Sequence, residues 1–492
     1  MKIKFSKTLH ITKVITLLFI TIFSTYIAEA TPISIKRIDT IDLNASAFPE
    51  GQINREDFDA AIDESGHVDI VWMRKKGKRT SENYTAPDFV PDHECEVPGL
   101  PPVRKKYEAY YSRGSLNIEN WTTPLKIPGI DRPTAKIVSS KDSIYVITYE
   151  GNQISQLKSI DAGVTWRQAI KIDAPGTISK LLEPFIYNDT VNVVFLAGQK
   201  PAQWLLATWL SDQQTKTKVL DDTFGEYPNC EAAAQTINND TLHLAHWYMT
   251  SEQIPEKGKE LGTNLFHYCR YLTYALAQND NPRAVTISRI RHTGTQSVSY
   301  ADLFVCGGEV GLLSYNYPSK TVSLTHFPKS TPDKQQYTKL EHIGNSLMGL
   351  KAVPVNSKHY RIFWLTDEYA KRSSRYHRGL SPRESLDALE GCHMPPFLAV
   401  VLVPPLVLGQ MLPYKYPYTN DIMTCEFNGV HDGKGIRKER ITPTNLLCKA
   451  PIVRTHGGSI YLFCRAHSAD ENQFLPGQLY AVCFSADSIN KQ

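Results

Sequence analysis

The 492-residue chain carries a formal charge of +4, but Lys2, Lys4, Lys7, Lys13 and Glu29 all fall in its first thirty residues, and without them the charge drops to +1. Basicity therefore gives no argument for a nucleic-acid partner. The remaining stretch of about 460 residues has room for one very large domain or two to three ordinary ones, and its 25 Tyr and 7 Trp, 41% apolar content, 28 Gly and 30 Pro suit strands and turns more than helices.

Residues 1–30 read as a secretory signal. The four lysines give a positive start, Val14 to Ile27 an apolar segment, and Ala28-Glu29-Ala30 a small-x-small cleavage site. The segment is short for a membrane span and polar residues follow at once, so no stable membrane insertion is expected after its removal, an uncleaved anchor being the alternative. A secreted or periplasmic location follows. Export permits disulfides, and five of the nine cysteines (Cys392, Cys425, Cys448, Cys464 and Cys483) fall late in the chain, where pairing is expected. Triplets for N-glycosylation occur at Asn44, Asn83, Asn120, Asn188 and Asn239, which should be surface positions if the source glycosylates.

A two-strand unit then recurs: an apolar strand, a turn of Asp, Asn or Gly, and an alternating strand that often ends in an aromatic. It reads from Phe58 to Trp72, Pro133 to Tyr149, Pro184 to Phe195 and Ala232 to Trp247, with weaker copies from Ala301 to Tyr315, Leu347 to Trp364 and Pro451 to Phe463. A more apolar stretch, Pro395 to Leu408, is a possible eighth member. No such unit buries its faces alone. Starts near residues 57, 132, 183, 231, 300, 346, 394 and 450, with several intervals close to 50, match four-stranded propeller blades. The predicted fold is all-β, a propeller of four-stranded antiparallel blades with seven or eight blades favoured. Residues 31–492 form one domain, with insertions near 79–128, 251–264 and 366–392. Stacked sandwiches are the alternative. The only helix signal is Ser381-Pro382-Arg383-Glu384, which predicts a short helix in a loop just after the basic tract Lys371 to Gly379.

The stretch Ser159 to Trp166 predicts a self-closed hairpin, with Asp161 accepting hydrogen bonds from its own turn and Trp166 plugging the turn onto a sheet edge. Ser159, Asp161, Gly163, Thr165 and Trp166 match the Asp-box (BNR repeat) pattern S-x-D-x-G-x-T-W, and on those residues the chain resembles the sialidase-like β-propeller superfamily. The resemblance implies six blades, a box on the outer part of a blade, and, in enzymes of the family, three Arg around a substrate carboxylate with a Tyr–Glu nucleophilic unit. The family's Arg-Ile-Pro signature is absent here. Arg132, Arg270 and Arg454 are the candidate cations, and Tyr300 with Glu309 the candidate pair.

Polar residues at the strand entrances should form one rim of the central channel. Asp57, Glu183, Glu231, Asp302, His393 and Lys449 are the glycan-binding candidates, beside Arg132 and Tyr300. His243, His246 and His267 do not make a metal set, since His243 and His246, three apart in a strand, face opposite ways. No cofactor motif occurs. Three functions fit: recognition of a glycan or glycoprotein, exo-glycosidase action on sialic or another acidic sugar, or a protein scaffold using the 79–128 insertion with its Arg104, Lys105, Lys106, Tyr110 and Tyr111. The missing Arg signature favours recognition.

Overall fold

The computed structural model describes residues 35–41, 58–76, 106–116, 121–130, 134–168, 170–198, 202–222, 229–254, 262–278, 281–291, 298–316, 321–340, 343, 347–366, 374–377, 414–417, 421–428, 433–441, 446–468 and 478–484. Every regular element among them is a strand. After β1 (Ile35–Ile41), blade 1 comprises β2 (Phe58–Ile62), β3 (His67–Lys76), β4 (Lys106–Ser115) and β5 (Leu125–Ile127). Blade 2 runs β6 (Lys136–Ser139), β7 (Ile144–Glu150) and β8 (Gln153–Ser159), its outer strand split into β9 (Arg167–Gln168) and β10 (Ile172–Asp173). Blade 3 has its inner strand split into β11 (Ile178–Leu181) and β12 (Phe185–Tyr187), followed by β13 (Thr190–Ala197), β14 (Gln203–Ser211) and β15 (Gln214–Asp221).

Blade 4 is β16 (Asn229–Asn238), β17 (Thr241–Ile254), β18 (Gly262–Ala275) and β19 (Arg283–Arg291). Blade 5 is β20 (Val298–Cys306), β21 (Glu309–Asn316), β22 (Thr321–Pro328) and β23 (Gln336–Lys339). Blade 6 starts with β24 (Leu347–Pro354) and β25 (His359–Thr366), makes a separate hairpin of β26 (Ser374–His377) and β27 (Tyr414–Pro417), and resumes with β28 (Asp421–Asn428) and β29 (Gly435–Arg440). Blade 7 is β30 (Leu446–His456), β31 (Ser459–Ser468) and β32 (Gln478–Phe484), completed by β1, which pairs antiparallel with β32. The chain's first strand thus closes the ring against its last.

The fold is therefore a seven-bladed β-propeller. Eight repeat starts gave one too many: the start near 394 lies between β26 and β27, outside the described residues. The six blades implied by the resemblance are likewise replaced by seven. The stretch 79–128 contains β4 and β5, so the connection itself narrows to 77–105, and 251–264 is largely the extended ends of β17 and β18. The helix predicted at Ser381 lies outside the described residues, as do residues 1–34.

Seven apolar layers, one between each pair of neighbouring blades, hold the ring together. Val68, Ile70 and Trp72 of β3 meet Phe463 and Ala481 of blade 7, while Val71 and Met73 of the same strand meet Ile137 and Val146 of blade 2. Alternate side chains of a strand point to opposite faces, so a second strand buried on both faces must be apolar throughout. That explains runs such as Val193 to Ala197 and Ile362 to Leu365, while the polar exceptions Asn192 and Arg361 are bonded to Thr208 and Glu426. The turns from first to second strand are correspondingly tight. Asn188-Asp189, Asn239-Asp240, Gly307-Gly308 and Gly457-Gly458 all hold positive φ at both positions, the geometry that suits a two-residue hairpin.

The late cysteines do not pair as expected. None of the six described cysteines is in a disulfide. Cys425 lies in the layer between blades 5 and 6 and Cys464 in that between blades 6 and 7, so their own layers separate them. The side chains of Cys392 and Cys448 lie outside the described residues. Tyr111, expected at a polar interface, is instead fully buried, its hydroxyl donating to Asp69 Oδ1 at 2.5 Å, and Tyr110 stacks on Trp72 at 6.0 Å between ring centroids.

The Ser159–Trp166 turn closes on itself and then onto blade 1. Thr165 N and Oγ1 donate to Asp161 Oδ1 and Oδ2 at 2.8 and 2.6 Å, Gly163 N donates to Ser159 Oγ at 2.8 Å, and Trp166 Nε1 donates to Gly163 O at 3.0 Å. These bonds hold the Asp161 carboxyl down, at a pKa of about 2. Trp166 meets Tyr111 edge-on at 5.5 Å, and a Cβ added to Gly163, whose φ is +86°, would stand 2.0 Å from the Tyr111 ring. Gly163→Ala should therefore cost roughly 2–4 kcal/mol, combining left-handed strain with overpacking. Gly129→Ala, at φ +75° with nothing within 4 Å of the new Cβ, should cost only about 1–2 kcal/mol. Denaturant melts of the two variants test this, and equal losses would show that the Tyr111 contact is easily relieved.

Candidate functional site

Each blade sets one polar side chain of its innermost strand on the axis or against it. In blade order they are Asp59, Lys136, Glu183, Gln235, Asp302, Lys351 and Arg454, giving three acids, three bases and one amide. All but Asp59 line a cavity of about 810 Å³, whose walls also include Pro184, Phe185, Ile237, and the turn from His456 to Gly458. The walls thus run from Lys136, the first residue of β6, and Glu183, between β11 and β12, to the turn ends of the inner strands.

Arg454 is the hub of the array. Its Nη1 donates to Glu183 Oε2 at 3.0 Å, Nη2 to Asp59 Oδ1 at 2.9 Å, and Nε to Ala60 O at 2.7 Å, so one guanidinium of blade 7 grips blades 1 and 3. Lys351 of blade 6 lies 3.4 Å from Asp302 Oδ1 and 3.8 Å from Glu183 Oε1. Glu183 therefore reaches two cations from blades across the channel. Burial opposes its ionisation, but Arg454, Lys351 and Lys136 outweigh burial and hold the carboxyl well below its ordinary range.

The partner groups shift as this charge pattern dictates. The Asp302 carboxylate, with Glu183 behind it, pushes the Lys351 ammonium up against the effect of burial. Burial works against the Arg454 cation too, yet Glu183 and Asp59 raise it. Asp302 moves the other way: burial raises its carboxyl, and the Lys351 charge and two backbone donors only partly offset this.

The same side chains clasp neighbouring inner strands, which share no sheet. Asp59 Oδ2 accepts from Ile137 N of blade 2 at 3.0 Å, Asp302 Oδ2 from Ala352 N of blade 6 at 2.6 Å, and Gln235 Nε2 donates to Glu183 O of blade 3 at 2.5 Å. Asp59 and Asp302 are 1% and 5% exposed as side chains and have both oxygens occupied, whereas Glu183 and Lys351 are 40% and 36% exposed. Those two, with Lys136, for which no hydrogen-bond partner is found among the described residues, are the groups left for a ligand.

Of the rim candidates, Glu183 and Asp302 meet on the axis. Glu231 instead bonds His267 Nδ1 at 3.1 Å and Val298 N at 3.2 Å between blades 4 and 5. Lys449 sits in β30 in register with Arg465, their side chains outside the description, and Asp57, Arg132 and His393 lie outside the described residues. Among the catalytic candidates, only Arg454 reaches the cavity. Arg270 of blade 4 is bound to Asp221 of blade 3 at 2.9 Å, with His246 on the same carboxylate at 3.0 Å. Tyr300 stacks on Tyr315, and Glu309 is in register with Cys306 while Tyr300 is in register with Tyr315, which puts the two at opposite ends of one hairpin, roughly 20 Å apart. The structure does not bring them together. Asp59, Lys136, Gln235 and Lys351 are not among the entrance residues expected from the sequence, since each lies within its inner strand. A signal was readable at Asp59, the one polar residue of Phe-Asp-Ala-Ala-Ile, whereas Lys-Ile-Val-Ser of β6 and the Asn, Glu, Gln and Thr of β16 mark no single position.

No family model matches the sequence, and no curated protein matches it. Solved structures similar to it include the PL25 ulvan lyase (6% identity, TM-score 0.49, covering 88% of this chain and 94% of that one). Others are the polysaccharide lyase Uly1 (9%, 0.49, 93% and 98%) and the NanB sialidase from Streptococcus pneumoniae (10%, 0.31, 62% and 59%). These neighbours are themselves sialidase-like and polysaccharide lyase β-propellers, at identities too low to transfer any chemistry.

Arg454→Ala should lower the unfolding free energy by about 3 kcal/mol or more, because it leaves buried Asp59 without its cation, and urea melts will show it. Glu183→Gln should act through pH. The Glu183 carboxyl lies below its ordinary 4.5 in the folded chain, so its stabilisation is present above that value and lost as pH falls through the depressed one. The Tm gap between wild type and Glu183→Gln should be widest near neutrality and close in acid. A gap that stays constant from about pH 7 to 3 would contradict the ion cluster.

Proposed function

We propose that the chain is a glycan-recognising propeller that takes part of a saccharide into its axial cavity. The observation that carries this is the cavity wall itself: an ionised acceptor, Glu183, and two cations, Lys136 and Lys351, face about 810 Å³ of space beside Pro184, Phe185 and Ile237. Sugar hydroxyls donate and accept at once, so a wall that alternates carboxylate and ammonium groups suits them, and an apolar strip suits the C–H face of the ring. Asp59, Asp302 and Arg454, deeper in the array, already have partners on neighbouring blades and would hold the exposed groups in place.

Recognition is favoured over turnover by the sialidase-type unit, since Arg270, Tyr300 and Glu309 stand in three separate settings away from the cavity. A leader at residues 1–30 and a match of Ser159 to Trp166 to the Asp-box pattern fit a secreted glycan or glycoprotein binder.

Purified protein should bind one or more members of an immobilised panel of neutral and acidic oligosaccharides. Lys136→Ala and Phe185→Ala should each weaken the best of these about tenfold, the scale of one lost charged hydrogen bond or apolar contact. If the folded protein binds no saccharide, or if both variants bind as wild type does, the axial reading fails.

A further inference from the structure

The two corners where blades 2 and 3 meet carry an apolar patch that the fold does not use. Ile160 and Val164 of the Ser159–Trp166 turn are 59% and 69% exposed, and Ile170 and Leu210 are 45% and 46% exposed. The patch is one surface: Ile170 N donates to Asp212 O at 3.1 Å, Trp209 Nε1 donates to Ile170 O at 3.1 Å, and Lys158 Nζ reaches Asp212 Oδ1 at 3.8 Å. The third strands β8 and β14 end side by side here, so both turns project from the same face of the propeller.

Charge around the patch is one-sided in what it leaves open. Asp161 keeps its charge but spends both oxygens inside its own turn, Asp212 lies 3.8 Å from Lys158, and Asp173, in register with Gln153, stands at the other end of β8. Arg167, Lys171 and Lys216 are exposed, and no partner for them is found among the described residues.

We propose that this corner docks reversibly on an anionic lipid bilayer, with Ile160, Val164, Ile170 and Leu210 entering the interface and Arg167, Lys171 and Lys216 meeting lipid headgroups. Protruding aliphatics on convex turns, ringed by unpaired cations, fit a bilayer surface better than a concave protein partner, and a single such anchor gives weak, reversible attachment. The patch lies on the face where first strands turn into second strands, the end to which the His456–Gly458 wall of the cavity extends. Docking would turn that end of the cavity toward the membrane.

The full chain should co-sediment with vesicles of 30% phosphatidylserine in phosphatidylcholine and at least tenfold less with pure phosphatidylcholine. The double variants Ile160→Ser/Val164→Ser and Arg167→Glu/Lys171→Glu should each lose at least tenfold in binding, with unchanged near-ultraviolet circular dichroism and unchanged oligosaccharide binding. Equal binding to both vesicle types, no binding to either, or folded variants that bind as wild type does would overturn the proposal. So would a concentration-dependent dimer in analytical ultracentrifugation that Val164→Ser abolishes, which would assign the patch to a second copy of the chain.

Discussion

Seven inner strands stand around one axis, and each is the terminal strand of its own sheet. Their free edges present main-chain groups that no neighbouring strand satisfies, and any polar side chain placed there leaves water at a cost. The axial array meets both demands together. Asp59, Asp302, Gln235 and Arg454 each spend hydrogen bonds on the main chain of another blade, and three acids face three bases, so the buried charge is compensated within the ring. Because Arg454 and Lys351 reach Glu183 from blades across the channel, the array resists opening of the ring as well as slippage between neighbours. The ligand-facing groups are thus held by the same bonds that hold the blades.

Outside the axis, cohesion is apolar and repetitive. Each second strand is sandwiched between two layers, and the seven layers differ in residues but not in plan. A ring of this kind has one weak joint, where the chain's ends meet. Pairing of Ile35–Ile41 with Gln478–Phe484 makes that joint a hydrogen-bonded sheet position, not merely a layer contact. At another position the layer between blades 1 and 2 is reinforced from outside. The Ser159–Trp166 turn rests on Tyr111, whose hydroxyl is fixed by Asp69, so a surface hairpin of one blade depends on a buried polar pair of the other.

Much of the fold was legible because its turns are local chemistry. Asn-Asp and Gly-Gly at the first hairpins, and mostly apolar second strands, mark blades without knowledge of any contact. Pro395 to Leu408 left the blade count open between seven and eight, since an apolar run has the composition of a second strand wherever it lies, and pairing of β25 with β28 across the insertion shows that blade 6 is already complete. Closure by β1 was likewise hidden, because the pairing joins residues at opposite ends of the chain. The site was half legible. Glu183 and Asp302 were found, but as members of an entrance rim, and Arg454 as a candidate catalytic cation. Lys351 and Asp59 acquire meaning only when the inner strands are aligned on their tight turns, which places each polar residue at a similar height on the axis.

The two faces of the propeller divide the chain's variability. Antiparallel alternation sends the connections between second and third strands to one face, and among them are 77–105, 367–420 and 469–477, while the turns between first and second and between third and fourth strands go to the other. Short turns fix their side chains by local hydrogen bonds, as in Ser159 to Trp166, so a surface made of them is preformed. The cavity wall from His456 to Gly458 and the exposed Ile160, Val164 and Leu210 all belong to this tight-turned face. A recognition surface built on preformed turns gives up little conformational entropy when it binds. On that ground the tight-turned face, where geometry is set before any ligand arrives, is the better platform for a polar cavity that must keep the Glu183–Lys351 pair part exposed.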